Sequence, residues 1–472
     1  MLQRFITWIR GVLSKMFHIN TIDTKRTLGA EVNISAAMQQ AIDLWLKMFM
    51  GSPDWLNDTT QSLGLPAAIA AEFSRLVLVE FDSQITGSVR ADWLNGEYQA
   101  ARKQLRTAVE LACAGGGVVF KPYPDGDHLA LDCVPAWRFF PTAFNNRGEV
   151  TSAVFVERVT RGRTYYTRLE HHALTADGYM IRNLAYLSFT EDALGNQCGL
   201  DAVPEWADLE PELIIRYKDG TAPEGMLFSY FKLPFANTVD LESPLGVAVF
   251  ARSVELIREA DVQYSRILWE YEGSELAVDA SVGALKRTGP DGKPVKLPAR
   301  QNRLFRELAI DAGSGGDLYK VFSPEIRDTA LFNGLDKLLK RIEFNCSLAY
   351  GTLSDPQSVE KTAEEIRTSK QRSYAAVCDM QAKLREALEH LVWCLDFYAT
   401  LYNLAPRGEY EISFTFGDGV MEDTDKEFAR RKQLVDGGYM KPEKLLAWYF
   451  GISEEDAAEY VPAVKQGLSF EA

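Results

Sequence analysis

The alternation of apolar and polar positions divides the first half of the chain into a helical part and a strand-rich part. Apolar residues recur at helical spacing over residues 35–50, 66–81 and 97–114, which predicts three helices. Three consecutive glycines at 115–117 follow the last helix, where flexible backbone can end a helix and allow a strand to begin. The first 110 residues are therefore expected to be mainly helical.

From residue 117 to about 235 the pattern changes to short apolar runs of strand length. Two of these runs flank Asp125, Gly126 and Asp127, an arrangement that predicts a β-hairpin. Similar runs follow as far as residue 233. This part of the chain is therefore expected to form an antiparallel, β-rich region fed by helices.

Two predicted helices flank a small strand region in the second half of the chain. The first is expected over 244–272, where Pro244 suits the first turn. Short strands around glycine-containing loops are expected over 276–323, and the second helix over about 328–350.

The longest predicted element is a helix of about 40 residues over 359–402. A short polar loop, GTLSDPQS, precedes it, and its opening residues from Thr362 to Glu365 fit a capping box. Helices in globular proteins average about 11–12 residues, so this helix is expected to cross a large assembly or to kink. A strand and short helices are expected after it.

Composition places the chain among folded proteins and disfavours static DNA binding. Its 472 residues are 46% hydrophobic, enough to bury a large core, and the length predicts two to four structural units. The formal net charge is −15. A protein that grips DNA by neutralising phosphates is expected to be basic on its contact face. A passage through which DNA slides remains compatible with this acidic balance.

The N-terminal residues 2–16 carry apolar positions at helical spacing, with Arg4, Arg10 and Lys15 outside the apolar stripe. Arg10 and Lys15 interrupt the continuous apolar centre that a signal peptide would need. No apolar run reaches the roughly 18–20 residues that span a bilayer. An amphipathic helix that docks on the protein or on a neighbouring subunit is expected, and no membrane association.

No metal site is expected from the cysteines, histidines or acidic residues. The six cysteines are scattered without a CxxC pair, so they are interpreted as free thiols of a reducing cytoplasm. Adjacent His171 and His172 would point to opposite faces of a strand and are interpreted as a strand-end pair. The Asp125 region lacks the later ligands of a calcium loop and is interpreted as a turn.

Catalytic motifs are missing from the sequence. There is no GxxxxGK[ST] loop, and the glycines at 115–117 lack the GxGxxG spacing and precede a strand. No GxSxG nucleophile motif occurs. No catalytic residue and no cofactor are therefore predicted.

One stretch is basic against the acidic whole. Residues 285–306 have a local charge of +6, with Asp291 as the single acid. Two interpretations stay open: a solvated surface loop, or a docking surface for an acidic partner or for DNA. The basic residues are Lys286, Arg287, Lys293, Lys296, Arg300, Arg303 and Arg306.

The order helix, strand insert, helix, polar loop and very long helix resembles the portal proteins of long-tailed double-stranded DNA bacteriophages. Four stretches also resemble that family directly, and the resemblance spans most of residues 35–460. They are FSRLVLVEF at 73–81, the helix-to-sheet passage at 106–141, the segment at 237–275, and KTAEEIRTSKQRSY at 361–374.

This resemblance implies an α+β portal fold with a helical and β-rich wing, paired stem helices, a small α/β clip, a long wing helix and a helical crown. The implied parts are the N-terminal part of the wing at 1–243, stem helix 1 at 244–275, the clip at 276–326, stem helix 2 at 327–351, the tunnel loop at 352–358, the long helix and C-terminal part of the wing at 359–423, and the crown at 424–472.

The resemblance also implies a function without enzymatic activity. Portal proteins form a ring, usually a dodecamer, at one capsid vertex, through which double-stranded DNA is packaged and ejected without sequence specificity. The clip docks the terminase large subunit and afterwards the head–tail adaptor, and major capsid and scaffolding proteins are neighbours. The chain would be assembled in the host cytoplasm and reside in the virion. The alternatives are a helical scaffold or interaction protein without DNA passage, and a packaging nuclease or ATPase.

The implied DNA-channel residues lie on stem helix 2 and the tunnel loop. Lys337, Lys340 and Arg341 either face the channel, where they would contact phosphates without reading bases, or they face solvent or pair with Asp336 and Glu343. The loop contains an acid and no base, so it would fit DNA by shape and not by charge. Its candidate residues are Thr352, Leu353, Ser354, Asp355, Gln357 and Ser358.

Overall fold

The structure is a computed structural model of the chain, and it forms two compact units, Met1–Phe416 and Gly417–Ala472. The described residues are 31–191, 193–217, 219–275, 277–281, 305–308, 319–323, 325–355, 363–416, 424–450, 453, 457, 458 and 460. Outside them lie the predicted N-terminal helix and Thr362, Gln357, Ser358, Lys286, Arg287, Lys293, Lys296, Arg300 and Arg303.

Helices dominate the start of the first unit, as the apolar periodicity predicts. The predicted first helix is confirmed: the hydroxyl of Ser35 accepts a hydrogen bond from the N–H of Met38 (3.2 Å) and caps its first turn. The helices are α1 (Ala36–Phe49), α2 (Leu65–Val77), α3 (Val89–Arg102) and α4 (Leu105–Gly115).

The prediction of one helix over 97–114 was wrong, because the chain breaks at Lys103 and Gln104 into α3 and α4. The break lets α3 pack on strands β1 (Asp82–Thr86) and β3 (His128–Pro135), while α4 packs on α2. β1 was also not predicted. Its antiparallel partner is β14 (Glu411–Thr415), far away in the sequence, so local periodicity carries no sign of the pair.

The predicted hairpin and the β-rich region are confirmed. In the hairpin, β2 (Gly117–Asp125) pairs with β3 around a two-residue turn in which Gly126 has φ +62°. The free edge of β2 pairs with β10 (Ser229–Lys232). A larger antiparallel sheet contains β4 (Phe139–Phe144), β5 (Val150–Arg161), β6 (Thr164–Thr175), β7 (Gly178–Ser188) and β8 (Asn196–Cys198), and β9 (Glu212–Ile215) also pairs with β7.

The glycines at 115–117 end α4 and begin β2, as predicted. Gly116 has φ +93°, and a Cβ added to it would collide with the backbone carbonyl of Gly246. The N–H of Val249 donates to the carbonyl of Cys113 (3.0 Å) beside this contact. The glycines therefore allow two backbone segments to cross in close contact.

The predicted helix that contains Pro244 begins later, at Val254, and is α5 (Val254–Gly273). The prediction of its start was wrong because residues 245–250 are all buried. A surface helix buries only one face, whereas this segment crosses the core beside Gly116 in irregular conformation.

α5 packs against α6 (Asp328–Cys346), which confirms the second helix of the pair. The two run antiparallel, since Glu270 meets Arg327 at one end and Ser253 meets Cys346 at the other. Between them in sequence, the described strands form a mixed sheet in which β11 is central and pairs parallel with β12. The strands are β11 (Ala277–Ser281), β12 (Phe305–Leu308) and β13 (Tyr319–Phe322).

The long predicted helix is confirmed as α7 (Ala363–Leu401), of 39 residues. It crosses several elements of the first unit: the amide of Gln381 donates to the carbonyl of Val77 (3.2 Å), and the hydroxyl of Ser229 donates to that of Ala387 (2.6 Å). Its length follows from packing on α2, α3 and β10 in turn.

The second unit contains α8 (Thr424–Asp436) and α9 (Pro442–Phe450). The guanidinium of Arg431 lies 4.2 Å from the ring centre of Trp448, and the Phe428 and Tyr449 rings pack at 4.9 Å. Helices and sheets are both extensive across the described residues, so the predicted α+β class is confirmed.

Candidate nucleic-acid interface

The three cationic candidates on α6 do not share one environment. Lys337 and Arg341 lie one helical turn apart and are exposed. Lys340 is mostly covered, and its Nζ pairs with Asp336 Oδ2 at 2.6 Å. Of the alternatives that the sequence leaves open, pairing with Asp336 therefore holds for Lys340.

The face of α6 that carries Arg341 continues into an aromatic contact with the long helix. The Arg341 guanidinium lies 5.1 Å from the ring centre of Phe344, and that of Arg372 on α7 lies 4.6 Å from the same ring. Arg372 also donates to the carbonyl of Leu348 (3.3 Å) and lies 5.2 Å from the ring centre of Tyr350. Arg372 therefore attaches α7 to the residues that follow α6.

α6 ends at Ser347, which has φ +62° and ψ +25°. Its N–H donates to the carbonyl of Phe344 (3.2 Å), and the N–H of Leu348 donates to that of Glu343 (2.9 Å). This left-handed cap usually carries glycine, because a Cβ disfavours the conformation. The cap turns the chain back along α6, so that residues 351–355 lie beside the helix they have just left.

Glu343 holds this returning loop through its side chain. The residue is fully buried, and Oε1 accepts hydrogen bonds from the N–H groups of Gly351 (3.1 Å), Leu353 (2.6 Å) and Ser354 (2.9 Å). Oε2 accepts from the hydroxyl of Ser354 (2.9 Å). Hydrogen bonds to a charged acceptor are stronger than neutral ones, and a buried carboxylate left without them would be very costly.

The loop candidates divide into inward-facing and outward-facing residues. Leu353 packs against the hydrophobic core, and Ser354 is 4% exposed. Thr352 and Asp355 are exposed, although the Asp355 N–H donates to Asp336 Oδ1 (3.0 Å). Thr352 and Asp355 are therefore the described loop candidates whose side chains are accessible.

The opposite end of the helix pair is closed by Glu270 and Arg327. Arg327 donates from Nε (3.0 Å) and Nη2 (2.8 Å) to the carboxylate of Glu270, and this bonding lowers the pKa of Glu270. The β11–β13 insert begins and ends at this ion pair. Arg306, one of the predicted clip residues, lies on β12 in the insert.

His171 and His172 lie in the interior of β6, so their interpretation as a strand-end pair was wrong. They have separate partners: His171 Nε2 lies 2.8 Å from the Ser152 hydroxyl, whereas His172 lies between Glu170 and the Tyr179 hydroxyl (2.7 Å each). Burial lowers the pKa of both histidines, that of His171 to about 4. Among the described residues no His, Cys, Asp and Glu group is arranged to hold a metal ion.

The sequence suggested Glu343 only as a possible partner of Lys337, Lys340 or Arg341, and it did not single out Arg372. Three of the four hydrogen bonds of Glu343 come from backbone N–H groups, which every residue except proline carries, so no side-chain pattern could reveal them. An acid beside the buried positions Ile342 and Cys346 is the one available signal.

A sequence model of one family, described as phage portal protein, SPP1 Gp6-like, matches residues 90–463. No curated protein matches the chain. No helix within the described ranges is long and apolar enough to cross a membrane. Because the family match covers well over half of the sequence, the chain belongs to the phage portal protein family.

Proposed function

We propose that this portal protein forms a ring-shaped channel at one capsid vertex, through which double-stranded DNA is packaged and later ejected. Membership of the family implies an oligomeric ring with capsid and terminase partners and a structural component of the virion. We further propose that the ring is a dodecamer that assembles in the host cytoplasm and has no enzymatic activity of its own.

The order of the elements supports the assignment of successive segments to the parts of a portal subunit. In the proposal, α5 and α6 are the paired stem helices, and the insert that they carry belongs to the clip at 276–326. Residues 352–358 are the tunnel loop, α7 is the long wing helix, and the second unit is the crown. The antiparallel α5–α6 pair, with the insert at one end and the loop at the other, is the arrangement on which this assignment rests.

The observation that carries DNA passage is the exposed pair Lys337 and Arg341 on α6, the helix to which Asp336 and Glu343 bind the loop. Repetition around a ring would make a belt of cations that touches phosphates without reading bases. Single exposed cations bind weakly, which suits a polymer that must slide.

Replacing both cations by Glu tests this assignment. The double variant should form rings but package less DNA, and the defect should shrink with salt, since the screening length falls from about 30 Å at 0.01 M to about 8 Å at 0.15 M. The same reversal at the exposed Lys103 and Arg106, outside the stem, is the matched control and should leave packaging unchanged. A defect that does not respond to salt would contradict the assignment.

The clip is proposed to dock the terminase large subunit and afterwards the head–tail adaptor, with the basic stretch at 285–306 as the docking surface. Pull-down of the two partners by the full chain, with and without Glu at Arg300 and Arg303, tests this. Retained binding by the variant would reassign the stretch to a solvated loop.

Electron microscopy of the purified full chain tests the ring itself. A ring with a central hole of duplex width supports the proposal, and its symmetry gives the subunit number. A monomer or a filament would favour the alternative of a scaffold without DNA passage. Nucleotide- or metal-dependent turnover by the purified chain would favour an enzyme instead.

A further inference from the structure

Glu343 carries a buried carboxylate, and no lysine or arginine among the described residues forms an ion pair with it. Lys340, three residues earlier, pairs with Asp336 instead. The negative charge of Glu343 is met by three backbone N–H groups and one hydroxyl, all from residues 351–354. Such an arrangement ties the carboxylate to the path of one short segment.

Other hydrogen bonds of the described loop join Asp355 to α6 or stay within the loop. Asp336 accepts from the N–H of Asp355 (3.0 Å), and Thr352 donates to the carbonyl of Ala349 (2.6 Å) within the loop itself. Arg372 reaches Leu348, before the segment begins. Glu343 therefore joins the middle of the loop to α6 by hydrogen bonds from its carboxylate.

We propose that Glu343 is the positioning residue of the loop: its carboxylate couples residues 351–354 rigidly to α6 and holds the side chains of Thr352 and Asp355 outward. The inference rests on the proposed function in one respect, that this loop borders the DNA passage. On that basis the carboxylate sets the width of the passage, and any shift of α6 moves the loop with it.

Hydrogen exchange on the assembled full chain tests the coupling directly. Glu343→Gln keeps the shape but removes the charge, and Glu343→Ala removes all four acceptor contacts. The amides of Gly351, Leu353 and Ser354 should exchange at least about tenfold faster in the Gln variant and faster still in the Ala variant. Glu270→Gln, a buried carboxylate on the paired helix, is the matched control and should leave these amides unchanged.

Ser354→Ala is a second, milder variant in case the Ala substitution at Glu343 prevents folding. It removes the hydroxyl that donates to Glu343 and accepts from the N–H of Gly351 (3.2 Å). Exchange at Gly351 should therefore rise, while the exchange of α5 amides stays as in the parent.

The amount of packaged DNA, measured on the same variants, separates this inference from the proposed function. If the loop amides keep their protection in the Gln and Ser354→Ala variants, the positioning role is overturned, whatever happens to packaging. If they lose protection and packaged DNA falls while rings still form, both proposals are supported. Lost protection with normal packaging supports the positioning role and overturns the placement of the loop at the DNA passage.

Discussion

Arg90 joins the N-terminal helices to the end of the long helix, and its removal should cost the first unit several kcal/mol. The residue is 1% exposed at the start of α3. Its Nε pairs with Asp396 Oδ1 (2.8 Å), and its Nη atoms donate to the hydroxyl of Thr400 (2.7 Å) and the carbonyl of Ala405 (2.9 Å). Substitution by Met would keep much of the volume and remove every donor.

The magnitude follows from what is left behind. Breaking a buried ion pair by removing one partner costs about 3–5 kcal/mol. The carbonyl of Ala405 also loses its donor, which adds to this cost. Asp396 is 32% exposed, so water compensates part of the loss and about 3 kcal/mol is expected for Arg90→Met. Arg90→Lys keeps the charge but loses the fork of donors, and an intermediate loss is expected.

Denaturant unfolding followed by tryptophan fluorescence measures the loss, and a double-mutant cycle with Asp396→Ala isolates the pair. The coupling energy should exceed about 1 kcal/mol, since the two side chains are in direct contact. If Arg90→Met lowers the free energy of unfolding by less than about 1 kcal/mol, with an unchanged dependence on denaturant concentration, this arginine does not link the two ends of the first unit.

Three further predictions concern the backbone crossing, the buried histidine and the end of α6. Gly116→Ala should destabilise the fold by about 2–5 kcal/mol, because its Cβ would meet the carbonyl of Gly246 at positive φ; thermal unfolding measures this, and Gly126→Ala in the open hairpin turn is the control. Burial lowers the pKa of His171 to about 4 in the folded chain. Its contribution to the free energy of unfolding is therefore complete above pH 6.5 and falls as the pH drops from 6.5 towards 4, because the unfolded chain takes up the proton first. Denaturation at pH 7 and pH 5 measures the difference in free energy of unfolding between the two pH values. This difference should be smaller in His171→Asn than in the parent, and an equal difference would contradict the assignment. Ser347→Gly should stabilise the chain by about 0.5–1 kcal/mol, since glycine relieves the left-handed cap, whereas Ser347→Val should destabilise it.

The helices and the strand-rich region were predictable because their signals are local. Ser35 caps α1 from the adjacent residue, and the apolar period of α7 is long enough to identify a helix of 39 residues. The hairpin around Gly126 follows from a turn residue between two apolar runs. Each of these depends on residues within a few positions of one another.

Predictions failed where a distant part of the chain decides the conformation. β1 exists because Glu411–Thr415 offers it a partner, and α5 starts at Val254 because residues 245–250 are needed in the core beside Gly116. The apolar character of 245–250 is equally compatible with a helix and a buried irregular segment. Burial on all sides is a property of the packing, so periodicity cannot separate the two.

For the candidate site, sequence and structure contributed different parts. The sequence by itself indicated the α+β class, the order of most elements and the portal family, because these depend on local patterns and on residues that the family model matches. Only the tertiary structure decided that Lys340 is paired while Lys337 and Arg341 are exposed, and that Glu343 holds the loop. The reason is physical, because an α-helix has 3.6 residues per turn and its successive side chains point in different directions. Whether a given side chain faces the core, a carboxylate or solvent depends on contacts that form only when the chain has folded.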